Sequence, residues 1–96
     1  MSPDKYKKLK KLRKSLDKLD NSFIKLIKKR TSLVDQVLQL KKYKKQIVDK
    51  KRIKIILSQI KKKSIKHNID PKITKKIWSN MISAYIDYER RNFNRK

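Results

Sequence analysis

The chain has no cysteine, no glycine, two prolines and one histidine, and only eight acidic residues against 31 basic ones. Each scarcity excludes something. Without cysteine there is no disulfide, no thiolate nucleophile and no thiolate metal site. His67 has no second His or Cys partner, so no metal site is expected. Near the end of a helix it reads as an exposed cation favoured by the helix dipole. With no Gly, and Pro only at Pro3 and Pro71, the turn chemistry of a β-rich domain is missing, whereas an all-α chain needs little of it. No apolar run approaches the roughly 18 residues of a membrane span. The N-terminus, MSPDKYKKLKKL, has no apolar core of a signal peptide. A cytoplasmic protein with no membrane association is the expectation.

What is abundant is positive charge. The 96 residues, enough for one domain (1–96), carry a formal charge of +23. Such a surface attracts polyanions, and a basic helical nucleic-acid-binding protein is one reading of it. Composition offers another. Lys (25), Ile (13) and Asn (5) together make up 43 residues, and Ala occurs once. These are amino acids with A/T-rich codons, so drift would spread Lys over any protein. The Lys occur along the whole chain with no dedicated tail or stripe. The expectation is therefore non-specific attraction of nucleic acid only.

Apolar periodicity predicts three helices. Ser2-Pro3-Asp4 is a helix start, with Ser as N-cap, Pro at the first position and an acid in the first turn. Leu9, Leu12, Leu16, Leu19, Phe23 and Leu26 begin a series at three- and four-residue steps. It continues through Ile27, Leu33, Val34, Val37 and Leu38, with no break before about Tyr43. A second series runs Ile53, Ile56, Leu57, Ile60, with Asp49 placed to cap it. Asn68-Ile69-Asp70-Pro71 marks a boundary, and the third helix carries Ile73, Ile77, Trp78, Met81, Ile82, Tyr85 and Ile86. Trp78 and Phe23 fall in apolar series and are expected in the core. Helix one, about 38 residues, would be about 57 Å long. The other two are about half as long and cannot cover its whole apolar stripe. An intertwined homodimer is therefore expected.

Only six of the basic residues are Arg, and Arg13, Arg30 and Arg52 stand alone. Arg supplies a planar fork for carboxylate or phosphate that Lys does not. On a helical wheel Arg30, Val34, Val37 and Lys41 fall within about 60°, giving a stripe about 16 Å long with a cation at each end. Arg13 lies about 25 Å from Arg30 along the same axis. It cannot serve the same small ligand in its own chain, but an antiparallel partner helix could supply it. Ile82, Tyr85 and Glu89 share a face of the third helix. Several cations, some carbon lining and one carboxyl would suit a small dicarboxylate.

These residues resemble a known family. Leu12-Arg13, Leu16-Asp17, Leu19-Asp20, Leu26-Ile27, Arg30, Val37 and Lys41 look like the first helix of the all-α chorismate mutases. Ile47-Val48-Asp49 with Arg52 resembles the entry to their second helix. Asn68-Ile69-Asp70 with Ile77 and Ile82 resembles their third. The likeness covers roughly residues 9 to 93, with about one residue missing after Lys41. It implies a homodimer with shared active sites that rearranges chorismate to prephenate without cofactor or metal. By resemblance, Arg13 of a partner chain and Arg30 bind the two substrate carboxylates. Lys41 and Glu89 flank the breaking ether oxygen. Arg52 helps hold a carboxylate, the Asp49 backbone meets the substrate hydroxyl, and Val37 and Ile82 line the site.

Two positions depart from the family's pattern. Ile53 stands where these enzymes usually carry a Glu that accepts the substrate hydroxyl, and Tyr85 where a small polar residue is common. Both look more like the related isochorismate-pyruvate lyases, which use the same fold to form salicylate. Asp49 and Glu89 point back to the mutases.

Overall fold

The computed structural model describes residues 2–95 and contains three α-helices and two short 3-10 turns. Helix α1 is Pro3–Leu40, α2 is Lys50–Lys66 and α3 is Pro71–Asn92; the turns are Lys44–Gln46 and Phe93–Arg95. The all-α class expected from periodicity is what forms. The described residues up to Leu33 make one compact unit, and those from Val34 onward make a second.

The first unit is helical from Pro3. Its start is capped as the sequence predicts: Ser2 Oγ accepts from the Lys5 N–H at 3.3 Å, and the Ser2 carbonyl from the Tyr6 N–H at 2.9 Å. Leu12, Leu16, Leu19, Phe23, Leu26 and Leu33 are each more than half exposed in the single chain. Phe23 thus departs from its expected core placement. Amphipathic helices owe most of their stability to packing of the apolar face, and here that face is uncovered.

The second unit holds the end of α1, the first 3-10 turn, α2 and α3. Helix α1 has the 38 residues expected and stops at Leu40, three residues before Tyr43. Gln46 is the reason. Its side-chain oxygen accepts from the backbone N–H groups of Lys42, at 2.7 Å, and Tyr43, at 2.8 Å. A continuing helix would have used those donors on carbonyls four residues back. A side chain breaks the helix where neither Gly nor Pro does. Lys41 lies one residue past α1, yet its N–H still reaches the Leu38 carbonyl at 3.1 Å. Leu38 and Ile47, on either side of this turn, are the buried apolar side chains of the unit, at 2% and 4% exposure.

Asp49 caps α2, its side chain accepting from the Arg52 N–H at 3.0 Å. Asn68 ends the connection behind α2 with a positive φ of 56°, which Asn tolerates better than most residues. The Asn68 N–H bonds the Ile65 carbonyl and the Ile69 N–H the Ser64 carbonyl. That pattern closes a helix end by satisfying its last carbonyls. Asp70 caps α3 from the other side, accepting from the Lys72 N–H at 2.9 Å with Pro71 next to it. The α2–α3 pair is pinned by Ser64 and Thr74, whose buried hydroxyls lie 2.7 Å apart.

Candidate active site

The site is built where the end of α1 meets the second half of α3. Glu89 is the only glutamate in the chain. It lies in the last turn of α3 and is 6% exposed. A buried carboxylate is costly unless paired. Lys41 supplies the partner: its Nζ is 3.2 Å from both Glu89 oxygens. The Lys41 side chain is 18% exposed and that of Glu89 8%. The position of Lys41 follows from the Gln46 turn, which ends α1 and leaves Lys41 anchored by its own N–H to Leu38.

A second link joins the same two elements. The Tyr88 hydroxyl donates to Asp35 Oδ1 at 2.7 Å. The Tyr85 and Tyr88 rings meet edge to face, with centroids 6.3 Å apart and planes at 89°. The hydrogen bond to Asp35 raises the Tyr88 phenol above its ordinary value; desolvation and the Asp35 charge act the same way, and Arg91 opposes them. Neither Asp35 nor Tyr88 was marked by the sequence reading. A signal existed: Asp35 is an acid set among Leu33, Val34, Val37 and Leu38, in a chain where acids are scarce.

Of the residues singled out in the sequence, the structure brings Lys41 and Glu89 together, with Tyr85 one turn before Glu89. Ile82 is half-buried one turn earlier still, and Ile53 is half-buried on α2. Asp49, Arg52 and Val37 are exposed in the single chain. The Asp49 carboxylate is engaged as the α2 cap, which leaves its backbone for other contacts. Arg13 and Arg30 belong to the first unit, Arg13 exposed and Arg30 half-buried. They stand seventeen positions apart on α1, about 25 Å of helix. His67 is the exposed C-cap of α2, as its sequence position implies. A groove of about 400 Å³ between α2 and α3, lined by Leu57, Ile60, Pro71 and Thr74 with Lys61, Lys72 and Lys75 among its other residues, contains none of these positions. Among the described residues no helix is long and apolar enough to cross a membrane.

The fold and site define an all-α protein that presents cations and one buried carboxyl. The chain matches the family model for chorismate mutase type II over residues 12–90. It is also 38% identical, over 76 residues, to a chorismate mutase of Methanocaldococcus jannaschii, covering 78% of this chain and 77% of that protein. No solved structure gives a significant match. The chain belongs to the type II chorismate mutase family, a family of enzymes.

Proposed function

We propose that the protein converts chorismate to prephenate in active sites shared by two identical chains. The observation that carries this reading is the Lys41–Glu89 pair, buried within a chain of that family. The reaction is an internal rearrangement: one carbon–oxygen bond breaks while a carbon–carbon bond forms. It needs no nucleophile. It needs a flexible dicarboxylate held in its reactive shape and stabilisation of the charge that grows on the ether oxygen.

The residues suit those two tasks. Arg30, with Arg13 of a second chain, holds the two carboxylates by bidentate contacts. Arg52 helps to hold a carboxylate. The Asp49 backbone meets the hydroxyl, and Val37, Ile53, Ile82 and Tyr85 line the ring. Lys41 and Glu89 lie close enough together, at 3.2 Å, for one ether oxygen to contact both. Lys41 donates as a cation, and Glu89 flanks the oxygen beside it.

Support for the second chain comes from the exposed apolar face of α1. Covering Leu12, Leu16, Leu19, Phe23, Leu26 and Leu33 would contribute about 1.5–3 kcal/mol each, which is comparable in sum with the whole stability of a small domain. The same dimer brings Arg13 across the 25 Å or so that separate it from Arg30 in one chain. On this reading the step belongs to aromatic amino acid biosynthesis and the protein is cytoplasmic. The surface of +23 attracts nucleic acid without sequence preference.

Parallel incubations of the purified protein with chorismate and with isochorismate test the reading. Prephenate from the first and no salicylate from the second is the expected result. Salicylate from isochorismate with no prephenate from chorismate would assign the protein to the lyases, in line with Ile53 and Tyr85.

A further inference from the structure

We infer that Tyr88, through its hydrogen bond to Asp35, is the positioning residue for the Lys41–Glu89 pair. The inference rests on the reading of that pair as the catalytic centre. Among the polar links that join the end of α1 to α3, Lys41–Glu89 and Asp35–Tyr88 differ in quality. Lys41 Nζ sits 3.2 Å from each Glu89 oxygen, longer than the roughly 2.7–2.9 Å of a tight ammonium–carboxylate bond. A lysine also has a flexible four-carbon stem. Such a pair does not define its own geometry. The Tyr88–Asp35 bond is short, at 2.7 Å, and its donor is a rigid ring with two side-chain torsions.

Sequence position turns that firm link into a brace. Tyr88 immediately precedes Glu89 on α3. Asp35 lies six residues before Lys41, on the last turns of α1. The short bond therefore fixes the separation of the two backbones that carry the long one. Tyr88 also meets the edge of Tyr85 at 89°, so the same ring orients a residue that lines the proposed substrate site. Its hydroxyl is committed to Asp35, and Tyr88 acts through its neighbours rather than on substrate.

Steady-state kinetics of four variants test this, with circular dichroism and melting temperature measured on each. Tyr88→Phe removes the hydroxyl and keeps the ring; Asp35→Ala removes the acceptor. Each is expected to lower kcat roughly tenfold or more, as small misplacements of reacting groups do, with KM within about twofold of wild type. The double variant is expected to be no worse than either single one, since both break one bond. Asp35→Asn keeps an acceptor oxygen and is expected to retain most of kcat. Should Tyr88→Phe fail to fold, the contrast between Asp35→Ala and Asp35→Asn carries the test. Lower melting temperature with unchanged kcat, or fully additive losses, would overturn the inference. Lys41→Gln keeps a donor to Glu89 and removes the charge, and so tests the underlying reading. If it loses activity while Tyr88→Phe does not, only the positioning role fails. If it retains activity, the catalytic pair itself is wrong.

Discussion

The Lys41 ammonium lies at the same distance, 3.2 Å, from each of the two Glu89 carboxylate oxygens. Neither oxygen is preferred, so the charge is shared across the fork rather than fixed to one atom. Burial makes this pairing necessary, because an uncompensated carboxylate at 6% exposure would be strongly disfavoured. The two side chains come from opposite ends of the second unit's sequence, 48 positions apart. Lys41 is placed by a turn that a glutamine side chain creates, and Glu89 by the last turn of α3.

Complementation between inactive subunits tests the shared site. Arg13 and Arg30 lie about 25 Å apart on one helix, so a single chain cannot bring both to one small substrate. Arg13→Ala and Arg30→Ala homodimers are each expected to lose activity by a hundredfold or so, about the cost of losing a buried charge-assisted contact. Mixing the two and allowing subunit exchange is expected to restore part of the activity, since one of the two sites in a heterodimer keeps both arginines. Confirmed exchange with no recovery would show that the sites are not shared.

Much of the fold was legible because each helix carries its own signals. Ser2-Pro3, Asp49 and Asp70-Pro71 mark the starts, and all three act as caps in the structure. The end of α1 was less legible. A sequence shows Gly and Pro as breakers, but Gln46 breaks the helix by reaching back three and four residues to the N–H groups of Tyr43 and Lys42, a local side-chain bond that apolar periodicity does not register. The Lys41–Glu89 meeting follows the family resemblance and could not be fixed by wheel positions, which placed Lys41 on a helix that ends one residue earlier. Asp35–Tyr88 escaped because periodicity names faces and not hydrogen bonds across 53 residues. Phe23 is exposed against expectation because apolar spacing marks a face without saying what, if anything, packs on it within one chain.

Alkaline titration tests the brace without reference to turnover. The Tyr88 phenol is raised, chiefly by its bond to Asp35. A group raised in the folded state contributes stability that is present in full below its unfolded value, about 10 for tyrosine. That contribution is lost as pH climbs through the folded value. The tyrosinate absorbance of wild type minus that of Tyr88→Phe is therefore expected to report a phenol ionising above pH 10 or so. Subtraction cancels the other tyrosines and the general loss of lysine charge. In an Asp35→Ala background the same difference curve is expected to move to lower pH. A Tyr88 titration indifferent to Asp35 would mean that the 2.7 Å bond is not kept in solution.

In the proposed site Glu89 stands beside the ether oxygen, where a donor is wanted, and an ionised carboxylate only accepts. Ionised, it would also repel the negative charge that grows on that oxygen in the transition state. Glu89→Gln fills the same space and carries an amide donor, so it is expected to match or exceed wild type in kcat/KM near neutrality. Glu89→Leu removes the donor altogether and is expected to cost about 10²–10³ in kcat, the usual penalty for losing one such contact. The leucine variant also leaves Lys41 without its partner, so its folding is checked by circular dichroism before rates are compared. The decisive comparison is between the wild-type, Gln and Leu values of kcat/KM. A folded Glu89→Gln enzyme no more active than Glu89→Leu would show that position 89 does not act on the ether oxygen; the Lys41 pairing would then serve only to neutralise a buried charge.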